Sequence, residues 1–480
     1  METTRPVRMQ SPGLATLLGR RRPRGLLRRI DWWAGQVCSL ECVFVLFLYS
    51  NELKTIINFP FPVDETVVFG GLCVPMVAYI AAREGLYLRG LAPVATAFVF
   101  IAWCVATTGW TVAHKYIYKD VAYLLTFTML SLVVGGMVIA NKRERAVRFF
   151  YCALAVALFM ALVGLYIQFK TGNFRRWGQL DGSGRVYLAF GHTVVNGAGI
   201  AFCIALFARV GTVRQALGTL AFATCSYFLL VGGGRGPFLG AALAALVAIS
   251  TRPPTIRNGR LELPYATVAA VVLFAAAGAF VAYLFVSGNL TETLARLTQL
   301  QTEAERETTI NGINRWDLWK AAYRLWLTAP WVGHGLSSFP VLYNGTDSDL
   351  LHPHDIFLEM LCETGLVGLA LFLVFMWVSG RHASYARLRR DPLMVCVVLF
   401  VITSAMAALF GRDIVGVRKF FLAISLLALR PPPAARQAVE DEQEEGGEGR
   451  QVRDRATGRG RPAAAAAAAA GASPRAGPIA

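Results

Sequence analysis

Apolar runs long enough to cross a bilayer recur along almost the whole chain, and nothing else in the sequence restricts the fold as strongly. A spanning helix needs about 20 mostly apolar residues, because each rises about 1.5 Å through a hydrocarbon core about 30 Å thick. Such runs lie near 33–50, 66–82, 91–112, 121–140, 147–169, 186–208, 213–231, 237–250, 264–286, 361–378, 392–410 and 414–429. Inside hydrocarbon every backbone polar group needs an internal partner, so each run is predicted to be a helix. The expected fold is an all-α polytopic membrane protein of about twelve transmembrane helices, with one long extracytoplasmic helical loop between the ninth and tenth spans. The last run is the least regular, since Arg418 and Lys419 sit inside it.

Composition agrees, at 55% hydrophobic and 16% charged residues with a mean hydropathy of +0.49, values a soluble domain of this size does not tolerate. The net charge of +17 would suggest nucleic acid as partner of a soluble protein; here it reads as loop arginines that set topology, and nucleic acid is not expected. With the N-terminus in the cytoplasm, alternate loops carry the dense clusters Lys142/Arg143/Arg145/Arg148, Arg252/Arg257/Arg260 and Arg381/Arg387/Arg389/Arg390. The loop after 169, the turn at 232–236 and the long insert then face outward. The nine cysteines lie in or at the edge of apolar runs and form no CxxC pair, so neither a disulfide framework nor a zinc site is indicated.

This gives five regions: a basic cytoplasmic N-terminus at 1–32, spans one to nine at 33–287, an extracytoplasmic loop with amphipathic helices at 288–360, spans ten to twelve at 361–430, and a tail at 431–480. The arginines of the first region precede a span with no cleavage signature, the pattern of a retained anchor. The tail, with its Pro431-Pro-Pro, acidic run and alanine tract, cannot bury enough apolar surface to order itself and is expected to be a disordered cytoplasmic segment.

Charge on the outward side should be sparse, yet Arg175, Arg176, Arg185, Arg235, Arg315, Arg324 and Arg412 all fall there. Arginine meets phosphate oxygens through two parallel hydrogen bonds, so an outward basic pocket suits a lipid-linked phosphate or pyrophosphate. The competing reading is that span-end arginines snorkel or pair with carboxylates. Two positions stand out against it. Arg235 lies in Gly232-Gly-Gly-Arg-Gly-Pro, whose glycines free backbone N–H groups to face an anion at the start of a helix. Arg315 follows Asn314, a good N-cap, and opens an amphipathic helix running to about Thr328; a cation in the first turn opposes the helix dipole and calls for an anionic partner, for which Asp317 is the bland alternative. Trp316, Trp319, Tyr323 and Trp326 form a stripe on that helix, most often packing or interfacial anchoring, with sugar stacking secondary. His334 lies between two glycines with no evident partner.

His352 and His354 flank Pro353 just before the tenth span. Neutral histidine is the usual general base near physiological pH. Asp355, Glu359 and Glu363 follow at intervals of four on one helix face; Asp355 either orients a histidine or caps the helix. His-x-His can bind metal, but no convincing third ligand accompanies it.

These segments together resemble the O-antigen ligase and polymerase family of bacterial membrane glycosyltransferases. His354-Asp355, nine residues and Gly365-Leu-Val-Gly368 are similar to that family's His-Asn/Ser/Gln-x9-Gly-x-x-Gly pattern. Asn314-Arg-Trp-Asp-Leu-Trp, Pro330-Trp-Val-Gly-His-Gly and Gly234-Arg-Gly support it, as does Arg185 with Phe190-Gly-His-Thr-Val-Val-Asn196. Asp355 stands where the family has an amide or hydroxyl, and Gly234 where it usually has serine. The resemblance implies a metal-independent inverting transfer of a glycan from undecaprenyl pyrophosphate to an acceptor sugar hydroxyl, on lipid A-core for a ligase or on a growing polysaccharide for a polymerase, in the bacterial inner membrane with the site facing the periplasm. It needs no cofactor. It also implies that His354 deprotonates or orients the acceptor, that Arg235 and Arg315 hold the pyrophosphate, and that Arg185, Arg176, His352, Trp316 and Asp355 contribute to substrate binding. The alternative of another class is a non-catalytic transporter or flippase of lipid-linked glycans, disfavoured because the notable polar residues collect on one side and no internal symmetry is visible.

Overall fold

The structure, a computed structural model, describes residues 38–57, 59–171, 186–208, 211–232, 235–251, 255–257, 260–262, 315–348, 351–411 and 413–432. The expected N-terminal region 1–32, the ninth run at 264–286, the first part of the insert and the tail from 433 onward lie outside the described residues. All but the last two described residues belong to the compact unit Met1–Arg430.

Seven helical stretches are long and apolar enough to cross a membrane: Glu65–Glu84, Leu88–Gly109, Ile117–Ile139, Arg143–Lys170, Phe190–Phe207, Ile356–Gly380 and Pro392–Gly411. In chain order the helices are α1 (Leu40–Leu53), α2 (Glu65–Glu84), α3 (Leu91–Ala106), α4 (Ile117–Ile139, containing two π-helical stretches), α5 (Arg143–Thr171), α6 (Val186–Phe207), α7 (Val213–Gly232) and α8 (Arg235–Ser250). They continue with α9 (Arg315–Thr328), α10 (Phe339–Asn344), α11 (Ile356–Gly380), α12 (Tyr385–Arg390), α13 (Pro392–Gly411) and α14 (Arg418–Ser425). The runs at α1, α7, α8 and α14 are helical but fall outside the set of seven. Seven spans, rather than the twelve expected, therefore meet the length and composition criterion among the described residues. The tenth run begins at Ile356, one turn earlier than its apolar content suggests, because Asp355 caps it. A two-residue-linked hairpin, β1 (Thr255–Arg257) against β2 (Arg260–Glu262), interrupts the helical pattern after α8.

Helix α6 is the central element, packed against α5, α7, α8 and α13, while α3 packs against α11. Phenylalanines fill the space between: Phe100 meets Phe372 at 5.4 Å, Phe375 stacks on Phe421 at 5.8 Å, and Phe149 and Phe150 meet Phe400 edge-on. Such pairs exploit the ring quadrupole beyond simple area burial.

One end of the bundle is fastened by arginines. Arg143 grips Asp391 through a fork at 2.6 and 2.8 Å and also donates to the carbonyl of Arg430. Arg145 reaches Glu84 at 3.0 Å, and Arg148 reaches Glu41 at 3.2 Å. Asp391 is 1% exposed and also accepts the amides of Leu393 and Met394 at the start of α13. Removing one partner strands the other charge. Asp391→Ala is therefore expected to destabilise the protein by about 3–5 kcal/mol, read as a lower melting temperature in detergent. Lys54→Ala, which breaks the exposed pair with Asp64 at 3.0 Å, should cost about 1 kcal/mol or less.

The other end resolves the two cations in the last apolar run. Arg418 is buried, donating to the carbonyls of Phe47 and Leu48 and to Ser50 Oγ at 3.0, 3.4 and 3.1 Å, with the Phe47 ring 4.8 Å away. Lys419 pairs with Glu52 at 2.8 Å and lies 3.9 Å from the centre of the Tyr49 ring. An apolar helix can carry charge where it faces the bundle interior and every donor is met.

Candidate active site

Helix α11 is broken at Gly365, whose φ of 70° and ψ of −170° lie outside any helical conformation. A break inside a span releases backbone groups that hydrocarbon cannot satisfy. The segment 330–335 takes them up. Leu366 and Val367 donate their amides to the carbonyls of Pro330 and Trp331 at 2.9 and 3.1 Å, while His334 and Gly335 donate to those of Cys362 and Glu363 at 2.9 and 2.8 Å. The Trp103 indole covers the remaining carbonyl, that of Thr364, at 3.0 Å. The two backbones touch: a Cβ on Gly365 would collide with the Trp331 carbonyl and sit 2.6 Å from the Gly333 nitrogen. Gly333, at φ 66°, meets the backbone of Glu363 and Gly365 in the same way. Gly368 leaves room for the Thr364 hydroxyl, which bonds back to the Met360 carbonyl. The Pro-Trp-Val-Gly-His-Gly segment and the Gly-x-x-Gly of α11 are thus two halves of one clamp, tied to the end of α3 by Thr111 Oγ on the Leu336 carbonyl at 2.7 Å and Trp110 Nε1 on that of Gly333 at 3.2 Å.

The acidic face of α11 fastens the surrounding turns. Asp355 Oδ1 accepts the amides of Phe357 and Leu358 at 2.9 and 3.0 Å and so caps the helix. Glu359 is buried and accepts the amide of Ile414 at 3.1 Å. Glu363, also buried, accepts those of Ser337 and Phe339, and Ser337 Oγ donates to Asp120 at 2.7 Å. His354 immediately precedes the cap. It is buried, holds a left-handed φ of 58°, and its ring centre lies 4.0 Å from that of His352. A β-carbon in this region is strained, and only surrounding structure keeps it there.

Three further segments converge on the same end of the bundle. A Cβ on Gly411 would lie 3.2 Å from His192 Nε2, one on Gly191 3.2 Å from Pro237, and one on Gly236 3.3 Å from Phe410. The end of α13 at Phe410 and Gly411 is therefore adjacent both to the start of α6 and to the first turn of α8. A cavity of about 400 Å³, including its open mouth, is lined here by Glu52, His192, Asn196, Ser404, Arg418 and Lys419. Its wall is preset: Asn196 donates to the Tyr49 hydroxyl at 3.2 Å and accepts from Thr403 at 2.7 Å.

Arg315 is the first residue of α9, as its sequence context predicts, and Arg235 is the first of α8, which starts two residues before the apolar run at 237–250. Helix α9 packs on α11 through Leu318 and Ala322, against Phe339 and Cys362. The aromatic stripe points elsewhere: Trp316 is 53% exposed and meets Trp319 edge-on, and Tyr323 tilts onto Trp326. His334 is not partnerless as its sequence context suggests. Its Nε2 lies 2.9 Å from both the Leu325 carbonyl and Thr328 Oγ, closing the end of α9. Arg176 and Arg185 lie outside the described residues, as does the side chain of Arg235.

Residues 220–373 match the family model described as O-antigen ligase. The match covers about a third of the chain, from α7 through the break in α11, and so contains Arg235, Arg315, both histidines and the clamp. It supports the resemblance to the O-antigen ligase and polymerase family. No curated protein matches the chain. The cavity residues Glu52, His192, Arg418 and Lys419 lie outside the matched segment. Their signal in the sequence is the presence of two adjacent cations and a carboxylate at the ends of otherwise apolar runs.

Proposed function

We propose that this multi-pass membrane protein is an O-antigen ligase-type glycosyltransferase that moves a glycan from undecaprenyl pyrophosphate to a sugar hydroxyl, either on lipid A-core or on a growing polysaccharide. The family match at residues 220–373 carries the reading. The geometry supports it, since the matched segment holds a buried, strained histidine beside a clamp that fixes its helix.

In this reading the acceptor O–H gives its proton to a ring nitrogen of His354 as its oxygen attacks the anomeric carbon. The bond from that carbon to the pyrophosphate oxygen breaks, and the electron pair leaves with the pyrophosphate. Such a leaving group needs neutralisation of developing charge more than protonation. Arg235, at the N-terminus of α8, and Arg315, at that of α9, supply it, with Arg185 and Arg176 as further contacts and no metal called on. His352 supports the ring of His354; Trp316 offers a stacking face; Asp355 acts through its cap. The arginine-fastened end, following the excess of basic residues in cytoplasmic loops, faces the cytoplasm of the bacterial inner membrane, and the histidine end faces the periplasm.

Arg235→Lys and Arg315→Lys keep charge but lose the two-pronged geometry; each is expected to slow transfer by about 10²-fold, the worth of one well-aimed donor. Wild-type rates in both variants would mean that the arginines act only structurally. The deciding assay uses purified protein, undecaprenyl-pyrophosphate glycan and, separately, lipid A-core or a second lipid-linked glycan as acceptor. Product on lipid A-core makes the protein a ligase, and lengthened lipid-linked chains make it a polymerase. Donor binding without either product overturns the transferase reading for these acceptors and favours transport.

A further inference from the structure

A second cavity lies at the opposite end of the bundle from His354 and has a different character. It is an open crevice of about 490 Å³, including its mouth, walled by Val147, Phe150, Ile200, Ile204, Phe207 and Leu393 from α5, α6 and α13. Almost all of this wall is apolar. The exceptions at its rim are Tyr151 and Arg214. Arg214 is half-buried, and its guanidinium makes no hydrogen bond or ion pair among the described residues. Arg143, Arg145 and Arg148, at the same end, each grip a carboxylate instead. Val213 and Leu217, its neighbours on α7, are 76% and 60% exposed, as a face turned to lipid requires.

We infer that this crevice is a binding site for an anionic phospholipid, with an acyl chain between α5, α6 and α13 and the phosphate on Arg214. A single cation over an apolar slot matches a molecule that is anionic at one end and hydrocarbon at the other. The leaflet that basic loops face is rich in such lipids. A guanidinium accepts a phosphate through paired hydrogen bonds, and the Tyr151 hydroxyl beside it offers one more donor. The site is separate from the transfer chemistry and does not depend on it.

The test uses the full-length protein in nanodiscs of phosphatidylcholine alone or of an equimolar mixture with phosphatidylglycerol, with retained lipid counted by native mass spectrometry after extraction into neutral detergent. Wild type is expected to retain phosphatidylglycerol about fivefold over phosphatidylcholine, the effect of one arginine at an anionic surface. Arg214→Gln should bring the ratio to unity and Arg214→Lys should keep most of it. Ala208→Phe, which fills the crevice while leaving Arg214 in place, should reduce retention of both lipids, with melting temperatures reporting that each variant is folded. Equal retention of the two lipids by wild type, or an undiminished preference in Arg214→Gln, overturns the headgroup assignment. Unchanged retention in folded Ala208→Phe overturns the acyl-chain assignment.

Discussion

Replacing His354 with alanine is expected to slow glycan transfer by about 10²–10⁴-fold, the usual contribution of a positioned general base, while leaving the protein folded and able to bind donor. The two halves of this result separate chemistry from architecture. His354 sits between a proline and the capping residue Asp355, so its side chain does not cap the helix, and its φ of 58° is one alanine tolerates no better than histidine. The backbone strain, of order 1–3 kcal/mol, therefore stays in the Ala variant, and any fall in its melting temperature should report only the lost contacts of the imidazole, among them that with the His352 ring. His354→Gly releases the strain and should melt higher than His354→Ala while being equally inactive. An active Gly variant would remove the proton-transfer role; an Ala variant that binds no donor would make the histidine a structural part of the pocket. His352→Ala serves as the counterpart, since it removes the ring that packs at 4.0 Å while leaving the base in place.

Much of the helical layout is legible in apolar run length, because the bilayer imposes that length directly. What run length does not report is how a run ends or breaks. The tenth run reads as one uninterrupted span with a Gly-x-x-Gly in it, yet Gly365 breaks it. Only the partner segment 330–335, thirty residues away in sequence, explains why a break inside a span is tolerated. Glu359 and Glu363 are visible as a helical stripe, and spacing alone leaves Glu359 a generic first-turn charge; their use is to hold backbone amides of residues 337, 339 and 414, a long-range fact. His334 is the same case in reverse, a histidine with no local partner that closes the end of α9. Arg418 and Lys419 lower the apparent quality of the last run, and the reason they can sit there, carbonyls and rings of α1, belongs to the opposite end of the sequence. The helices that open at Arg235 and Arg315 were legible because helix starts have local signatures.

Gly365→Ala is expected to be the most damaging single-methyl change in the matched segment, destabilising the protein by about 2–6 kcal/mol when the backbone penalty of about 1–3 kcal/mol and the cost of forcing atoms into a filled space, about 1–3 kcal/mol, are combined. The position combines φ 70° with ψ −170°, which side chains essentially do not adopt, and a new Cβ would meet the Trp331 carbonyl. Relief requires moving segment 330–335, and that segment holds five hydrogen-bond groups of the broken span together with Trp103. The clamp also sets the stretch from Asp355 to Glu363, so the damage should reach the histidine. Where the variant can still be purified, it should melt lower and transfer more slowly, with the histidines intact. Gly380→Ala is the matched control, at the far end of the same helix with nothing within 4 Å of its new methyl and no positive φ. It should melt within about 0.5 kcal/mol of wild type and retain activity. If Gly365→Ala behaves like Gly380→Ala in both measurements, the break in α11 is not fixed by the 330–335 segment, and the clamp is not what holds His354 in place.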